Sequence, residues 1–249
     1  MRILILNPNM TEAMTERMVS VAQTVAAPDT ELLSATASRG FPYISSRAEA
    51  QIAGALVLEM IAERITQIDA VIIAAYGDPG LRAARELFDI PVVGMAESAM
   101  LTACMLGERF SLVTFTANLA PWYLESVQAA GLGSRLASIR IPDESFRSVL
   151  DVRNELRSAL VAEVGRAVSE DQADVVILGG APLAGLAQEV PEAPAVLVDP
   201  ISAALKQAEA LTRVAPRGAA AGSFARPVGK PNQGLAPVLG DWIARDHGR

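Results

Sequence analysis

Short apolar runs alternate along this chain with longer segments in which apolar residues recur at helical spacing. The short runs are rich in Val, Ile and Leu, and turn residues follow them, which is typical of strands buried on both faces. This alternation predicts an α/β fold with parallel sheets covered by helices. The predicted strands are residues 3–6, 31–35, 70–74, 91–93, 110–114, 138–141, 175–178 and 195–198.

Helices are predicted between these strands. The first should follow Thr11, which is expected to cap it, and Met14 and Met18 start its apolar face. An extended tail, rich in Pro, Gly and Ala, is expected over residues 214–234. The remaining predicted helices are residues 48–68, 79–87, 96–106, 119–130, 149–169, 201–212 and 236–245.

One strand and its following loop occur twice. The stretch DAVIIAAYGDPGL at 69–81 and the stretch DVVILGGAPLAGL at 174–186 share their pattern, and Gly80 of the first matches Gly185 of the second. The offset is 174 − 69 = 105 residues. Two strand–loop–helix units at a constant spacing predict two similar halves, each of which offers a helix N-terminus to a shared cleft.

Polar and small residues stand where four predicted strands end. In open parallel sheets, ligands bind beyond the carboxyl ends of the strands. The sequence therefore predicts a small-molecule site where these ends converge. The segments are Asn7-Pro8-Asn9, Ala75-Tyr76-Gly77-Asp78, Thr114-Phe115-Thr116 and Gly180-Ala181.

Composition narrows the classes of function. The 249 residues are 51% hydrophobic and carry a formal net charge of −7 without a basic stripe, which argues against nucleic-acid binding. No apolar run approaches the ~20 residues of a membrane helix, and the N-terminus is too short for a signal peptide. A soluble cytoplasmic protein without membrane or nucleic-acid partners is expected.

Six segments in order resemble one known family. Together they are similar to the aspartate/glutamate/hydantoin racemase superfamily, nearest its hydantoin and allantoin racemase branch. The segments are ILNPNMTEAMTE at 5–16, GDPGLRAARE at 77–86, PVVGMAESAM at 91–100, MLGERFSLVTFT at 105–116, ADVVILGGAPLAGLA at 173–187 and GSFARPVGKP at 222–231.

The resemblance implies two pseudo-symmetric, flavodoxin-like α/β lobes with parallel sheets and an interlobe cleft. It also implies a small-molecule substrate, no metal or organic cofactor, and a homo-oligomer. We expect residues 1–97 plus 200–249 to form the N-terminal lobe with the C-terminal helices and tail, and residues 98–199 to form the second lobe.

The family's chemistry uses two cysteines, one after each repeated strand, and this chain departs from it there. Ala75 and Gly180 occupy the two matching positions, and neither carries a proton that can be transferred. Cys104, the only cysteine, falls inside the predicted helix 96–106 and is interpreted as a buried structural thiol. A related decarboxylase of the superfamily keeps the second cysteine, so its mechanism does not transfer either.

Three side chains remain as candidates for proton transfer: Tyr76, Asp78 and Glu97. A tyrosine acts as a base only if its pKa falls far below ~10. Asp78 precedes Pro79, and capping of the next helix is the alternative interpretation. For Glu97 the alternatives are a helix-start charge or a hinge contact.

The expected substrate-binding residues are loop and strand-end groups that can donate hydrogen bonds or line the mouth of the cleft. For Asn7 an Asx turn around Pro8 is favoured, and the same turn is the alternative for Asn9. For the two threonines the alternative is a strand-end or capping role. The candidates are Asn9, Tyr43, Ser45, Ala75, Gly77, Thr114, Thr116, Gly180 and Ala181.

Three functions stay open at this point. The first is an enzyme that acts without cysteine on a hydantoin-like cyclic amide or an α-substituted carboxylate, by ring-opening hydrolysis, isomerisation or decarboxylation. The second is a hydantoin or amino-acid racemase in a variant that lacks its cysteines. The third is a non-catalytic small-molecule binding protein.

Overall fold

Two four-stranded parallel sheets form the framework of the molecule. The computed structural model describes residues 1–219 and 221–244. Strands β1–β4 form one sheet in the order β2-β1-β3-β4, and β5–β8 form the other in the order β6-β5-β7-β8. The strands are β1 Arg2–Asn7, β2 Glu31–Thr36, β3 Ala70–Ile73, β4 Val92–Gly94, β5 Phe110–Val113, β6 Leu136–Arg140, β7 Val175–Leu178 and β8 Val196–Val198.

Helices connect the strands, and ten lie among the described residues. They are α1 Glu12–Val25, α2 Arg47–Ala62, α3 Leu81–Leu87, α4 Met95–Leu106, α5 Ala120–Ala129, α6 Val152–Glu155, α7 Arg157–Ser169, α8 Leu186–Glu189, α9 Pro200–Val214 and α10 Pro237–Ala244.

The predicted fold class, two lobes with parallel sheets, is confirmed, and the eight predicted strands lie within two residues of their expected ends. Several helix boundaries were wrong. The helix predicted to reach residue 68 ends at Ala62, and the one predicted over 149–169 is broken at Leu156, where the backbone leaves helical geometry. The end predicted at Arg245 lies outside the described residues.

Two helix starts also differ from expectation. The helix predicted from Pro79 begins at Leu81, because Gly80 adopts a left-handed conformation with φ 78°. Thr11 precedes α1 but makes no capping hydrogen bond. Its hydroxyl donates instead to the carbonyl of Pro42, at 2.6 Å. Thr11 thus fastens the loop before α2 to the start of α1.

Apolar strand residues and helix faces make the core. One buried cluster runs through both halves, from Ile3 and Ile5 of β1 to Val175 and Ile177 of β7. Helix α9 follows the last strand of the second sheet, yet it packs against α1, α4, β3 and β4. The two sheets are therefore joined by shared helices rather than by a single linker. Among the described residues, no helix combines the length and apolar character needed to cross a membrane.

An aspartate at the start of β3 and its counterpart at the start of β7 have the same role. Asp69 accepts a hydrogen bond from the backbone N–H of Arg2, at 2.7 Å. Asp174 accepts from the N–H groups of Glu108 and Arg109, both at 2.9 Å. Each carboxylate ties its strand to the beginning of the neighbouring strand, so the repeat seen in the sequence is also a repeat of contacts.

Candidate active site

Two loops follow the repeated strands at equivalent positions. The first loop, residues 75–80, leaves β3, and the second loop, residues 179–185, leaves β7. Gly80 and Gly185 end them in left-handed conformations, with φ 78° and 85°, immediately before α3 and α8. This conformation is costly for residues with a Cβ, which explains why glycine stands at both places.

The two loops meet through aromatic side chains. A Cβ atom placed on Gly179 would lie 3.3 Å from the ring of Tyr76, and one placed on Gly77 would lie 2.4 Å from the indole of Trp122. Tyr76 belongs to the first half and Trp122 to α5 of the second. The predicted convergence of the strand ends is therefore present as direct contact between the two loops.

The two positions that were predicted to match cysteines of the family differ from each other. Ala75 is buried, with 6% of its surface exposed, and its backbone has ordinary negative φ. Gly180 has φ 130° and ψ 135°, in a region that is nearly restricted to glycine. A Cβ atom there would lie 2.9 Å from Cε1 of Phe115. A side chain is thus accommodated at residue 75 but strained at residue 180.

Two buried hydroxyls near the loops have no hydrogen-bond partner of standard geometry among the described residues. They belong to Tyr76 and Thr114, which follow β3 and β5. The Thr114 hydroxyl lies close enough to Tyr123 to favour its ionised form, but burial outweighs this and raises the Tyr123 pKa. Such unpartnered groups are uncommon in protein interiors and call for an explanation.

Burial also raises the pKa of Tyr76 well above its ordinary value, and the nearby charge of Asp78 adds to the effect. A base would need the opposite shift, so this direction does not support the role of base for this residue. A phenol that stays protonated at neutral pH is a hydrogen-bond donor. Tyr76 therefore suits a role as a hydrogen-bond donor.

Asp78 caps a helix, but not the one that follows it. Its backbone has φ 51°, and its carboxylate accepts from the N–H groups of Ala96 and Glu97 at the start of α4, both at 2.8 Å. Burial raises the pKa of the carboxyl to about 7, although these two hydrogen bonds oppose the shift. Capping of α3 was the wrong alternative, because Gly80 stands at that N-cap and makes no side-chain hydrogen bond.

Glu97 is paired rather than free. Its carboxylate is held by both guanidinium nitrogens of Arg85, with Nη1 to Oε1 at 3.0 Å. The Arg85 Nε atom also donates to the carbonyl of Val92, at 2.9 Å. The negative charge of Glu97 contributes to the raised pKa of Asp78, and the positive charge of Arg85 opposes it. Glu97 thus influences the pKa of Asp78 through its charge.

The two asparagines after β1 form a network. The Asn7 side-chain oxygen accepts from the N–H of Asn9 at 3.1 Å, which is the predicted Asx turn around Pro8. The Asn9 side-chain oxygen accepts from the N–H of Thr11 at 2.9 Å and from the Asn7 amide at 3.0 Å. Asn9 is 3% exposed. Its assignment as a substrate-binding residue stays a prediction.

Residues 43–45 approach the site from the first half. The Tyr43 ring packs 6.1 Å from that of Phe115, and burial raises its pKa. Ser45 is directed to α2, because its N–H and its hydroxyl both donate to Glu49, at 2.6 and 3.0 Å. Of the two, Tyr43 is the one that contacts a strand-end residue of the second half.

Thr116 and Ala181 lie at the edges of the junction. Thr116 is half-buried, and its carbonyl accepts from the N–H of Leu119 at 3.3 Å. Ala181 is buried and starts a short turn, in which its carbonyl accepts a hydrogen bond from the N–H of Ala184 at 3.1 Å. Neither geometry assigns a role, and their ligand contacts stay predictions.

The second loop is held by side chains that sequence patterns did not single out. Asp199 accepts from the N–H of Gly185 at 2.8 Å and from the N–H of Ser202 at 2.9 Å. Arg17 of α1 donates to the carbonyl of Pro182 at 3.1 Å. Asp199 followed by Pro is a helix-start signal that was visible in the sequence. The contact of Arg17 spans both halves and leaves no local signal.

A cavity of about 370 Å³ borders the first loop on its other side. Its walls come from the first loop, from α4 and from α5 of the second half. Gly77, Asp78, Glu97, Met100, Trp122 and Glu125 are among its lining residues. Asp78 therefore faces both the interior of the protein and a space that a small molecule or water can reach.

The fold and the paired loops agree with the comparisons to known proteins. Residues 3–208 match the family described as Asp/Glu/Hydantoin racemase, and the chain belongs to that family. It is 34% identical over 233 residues to hydantoin racemase from Paenarthrobacter aurescens, an alignment that covers 92% of this chain and 99% of the relative.

Two solved structures are also similar. Allantoin racemase from Klebsiella pneumoniae has a TM-score of 0.89 and 34% identity, covering 96% of this chain and 98% of that one. Allantoin racemase from Pseudomonas fluorescens has a TM-score of 0.85 and 32% identity, covering 94% and 100%. The predicted relationship to the hydantoin and allantoin racemase branch is confirmed, and it makes the chain a racemase-superfamily protein.

Proposed function

We propose that this protein is an enzyme that removes the acidic proton next to a carbonyl group of a small cyclic amide or α-substituted carboxylate, without a thiol. The enolate oxygen receives hydrogen bonds from hydroxyls and backbone amides at the junction of the two loops. Isomerisation, decarboxylation and hydrolytic ring opening pass through an enolate or a comparable oxyanion, and the same donors serve all three.

The unpartnered hydroxyl of Tyr76 carries this proposal, and the buried hydroxyl of Thr114, which lies beside Tyr123, adds a second donor. A buried polar group left without a hydrogen bond costs about 1–3 kcal/mol, so the Tyr76 phenol at the junction is a standing cost to folding. A ligand oxygen removes that cost. Because its pKa is raised, the Tyr76 phenol remains protonated at neutral pH and is ready to donate.

Asp78 supports a proton-transfer role in the first loop. General acid–base catalysis is most effective when the pKa of the catalytic group lies near the working pH. Burial brings the pKa of Asp78 to about 7, and the residue lines the adjoining cavity. In this scheme Asp78 takes up the substrate proton, while Tyr76 and Thr114 hold the oxygen on which negative charge develops.

The conformation of Gly180 weighs against a racemase that has merely lost its cysteines by substitution. A cysteine at residue 180 would require a strained backbone and would crowd Phe115. The alternative of a non-catalytic binding protein shares the same donors, and turnover is what separates it from the enzyme.

Proton exchange in heavy water tests the proposal directly. Hydantoins, amino acids and substituted malonates are incubated with the protein, and loss of the acidic proton is followed by NMR. We expect exchange with the wild type, and a loss of about a hundredfold in Tyr76→Phe and in Asp78→Asn, as is common for a removed oxyanion donor or acid–base group. Ser98→Ala is the matched control, because Ser98 also carries a buried, unpartnered hydroxyl but lies in α4.

The outcomes separate the three functions. Tight binding without exchange or consumption of any compound would leave the non-catalytic binder. Racemisation that appears only when cysteines are introduced at residues 75 and 180 would favour the cysteine-less variant. Cys104→Ser should exchange at the wild-type rate, and loss of exchange in that variant would contradict a mechanism without a thiol.

A further inference from the structure

A second cavity lies beside the second loop, and its described lining residues differ entirely from those of the cavity at the first loop. Its volume is about 540 Å³, which is within the range of small-molecule sites. Helix α1 of the first half forms one wall, and α6 and α8 of the second half form the other. We call it the α1–α8 cavity, and its lining residues include Glu16, Arg17, Ser20, Arg153, Gly185 and Gln188.

Arg17 extends from α1 to the second half and binds neutral groups there. Its half-buried guanidinium donates to the carbonyl of Pro182 at 3.1 Å and to that of Leu150 at 3.0 Å. Within the described part of the chain, no carboxylate oxygen lies at ion-pair distance from it. A guanidinium has five N–H donors, so Arg17 keeps donors for a further acceptor.

Arg153 approaches the same loop from α6. Its side chain is 16% exposed, and its Nη1 atom donates to the carbonyl of Ala184 at 2.8 Å. A Cβ atom placed on Gly185 would lie 3.3 Å from Nη1, so the glycine leaves room for the guanidinium against the loop. Both arginines are therefore fixed in place by carbonyl groups of the second loop.

The two guanidiniums repel each other across the cavity wall. The pKa of Arg17 is lowered, first by burial and then by the positive charge of Arg153. The negative charges of Asp151 and Glu189 oppose this shift without reversing it. Arginine nevertheless stays protonated in proteins. An anion bound between the two side chains would offset the repulsion and supply the ion-pair partner that Arg17 lacks.

The carboxylates near this wall leave that need unmet. Glu189 is shared by Arg153 and by Arg157, whose Nη1 atom donates to it at 3.0 Å. Glu16 also lines the cavity, but its side chain is exposed to solvent, where salt screens its charge. Two carboxylates on the wall still disfavour a ligand of high negative charge. A group with a single negative charge and two oxygens fits this balance better than a phosphate dianion.

We propose that the α1–α8 cavity is a second binding site, which holds a small monocarboxylate on the guanidinium groups of Arg17 and Arg153. The planar fork of a guanidinium matches the two oxygens of a carboxylate. The hydroxyl of Ser20 and the side-chain amide of Gln188 are neutral donors on the same wall. This site does not depend on the chemistry proposed for the junction of the two loops.

An NMR titration of the whole protein tests the proposal at constant ionic strength. The probes are butyrate, its neutral analogue butyramide, and inorganic phosphate, and the amide resonances of Gly185 and Gln188 are followed. Butyrate should shift both resonances to saturation. Its affinity should exceed that of butyramide by at least about tenfold, because hydrogen bonds between charged groups are much stronger than neutral ones. Phosphate should bind more weakly than butyrate.

Two variants remove the expected binding by different means. Arg17→Gln should weaken butyrate by at least about tenfold, because a charged hydrogen bond is lost. If that variant does not fold, Gln188→Glu replaces it, since this exposed residue keeps both arginines and adds a negative charge to the wall. Gln188→Glu should also weaken butyrate by about tenfold.

The controls separate this site from general charge and from the junction of the loops. Arg39→Gln makes the same change of charge at an exposed ion pair with Glu59, and it should alter the butyrate affinity by less than about twofold. Tyr76→Phe should also leave it unchanged. Equal binding of butyramide, tighter binding of phosphate, shifts that do not saturate, or a matching loss in either control would overturn the proposal.

Discussion

The two loops share a backbone design and differ in the chemistry they carry. Both follow a buried strand, and both end in a left-handed glycine before a helix. The first loop contains Tyr76, whose phenol is buried, and Asp78, whose carboxyl is partly buried. The second loop, residues 179–185, consists of Gly, Ala, Pro and Leu, so only its backbone can bind a ligand. The repeated fold therefore supports one loop that offers side chains and one that offers main-chain groups.

In each half a carboxylate links the loop to the start of a later helix. The carboxylate belongs to the loop in the first half and to the helix start in the second. In the first half the loop residue Asp78 reaches the N–H groups of Ala96 and Glu97 in α4. In the second half Asp199, at the start of α9, reaches back to the N–H of Gly185. Both halves therefore fasten the loop to a helix through a carboxylate. Only in the first half is that carboxylate part of the loop itself.

The largest effect is expected at the two residues that were predicted to match cysteines of the family. Gly180→Cys should lower the free energy of unfolding by about 3 kcal/mol, from backbone strain and from crowding of Phe115. Ala75→Cys should cost less than about 1 kcal/mol, because the backbone there is ordinary. Chemical unfolding of both variants measures the difference.

Gly131→Ala separates strain from crowding in this comparison. Gly131 has φ 74°, but a Cβ atom there would meet nothing within 4 Å. Its loss of stability should be about 1 kcal/mol, the cost of a left-handed residue alone. Equal losses at residues 75 and 180 would show that the two loops do not differ as described.

The carboxyl of the first loop should make stability depend on pH. Asp78→Asn places an amide group against a backbone N–H, which should cost about 2 kcal/mol near pH 5. The pKa of Asp78 is about 7 in the folded protein, whereas its ordinary value is 3.8. Between these two pH values the folded protein therefore binds one proton that the unfolded chain does not. The contribution of this proton is full below about pH 4 and is lost as pH rises through about 7.

The difference in free energy of unfolding between the wild type and Asp78→Asn should therefore be larger at about pH 5 than at about pH 8. The decrease between the two pH values should be on the order of 1–3 kcal/mol. Unfolding by urea at the two pH values gives both differences, and the titrations of groups far from Asp78 cancel between them. A constant difference would show that Asp78 has an ordinary pKa, and would remove its assignment as the acid–base group.

The smallest expected effect is a gain in stability rather than a loss. Tyr76→Phe removes a buried hydroxyl that lacks a partner, so the variant should gain about 1 kcal/mol of stability in the absence of ligand. Thermal unfolding with and without a hydantoin checks this. A functional donor predicts that the ligand stabilises the wild type more than the variant. Loss of stability in the ligand-free variant would mean that the hydroxyl is satisfied within the protein.

The sequence was sufficient for the framework because the strands are continuous apolar runs. Val175–Leu178 is fully buried and was predicted to the residue. The spacing of the two repeated stretches predicted two equivalent loops for the same reason, since each pattern is local. The break at Leu156 and the end of α2 at Ala62 depend on tertiary packing, which periodicity does not contain.

The sequence identified candidate residues but not their contacts. Asp78, Tyr76 and Thr114 were selected because they follow strands, and Tyr76 lies against Gly179 of the second loop. That Asp78 caps α4 instead of α3 depends on its own φ of 51° and on a contact 18 residues away. The rings of Tyr43 and Phe146 both pack on Phe115, and such long-range contacts leave no pattern in a single sequence.

Asp199 is bonded to the second loop and to the first turn of α9 at once. Because one carboxylate accepts from both segments, movement of the Asp199 side chain loosens both hydrogen bonds together. The amide protons of Gly185 and Ser202 should then exchange with solvent in a single opening event, at matching rates, although 17 positions separate them along the chain. In that case the second loop and α9 open as one cooperative unit, and a change that frays α9 also loosens the second loop.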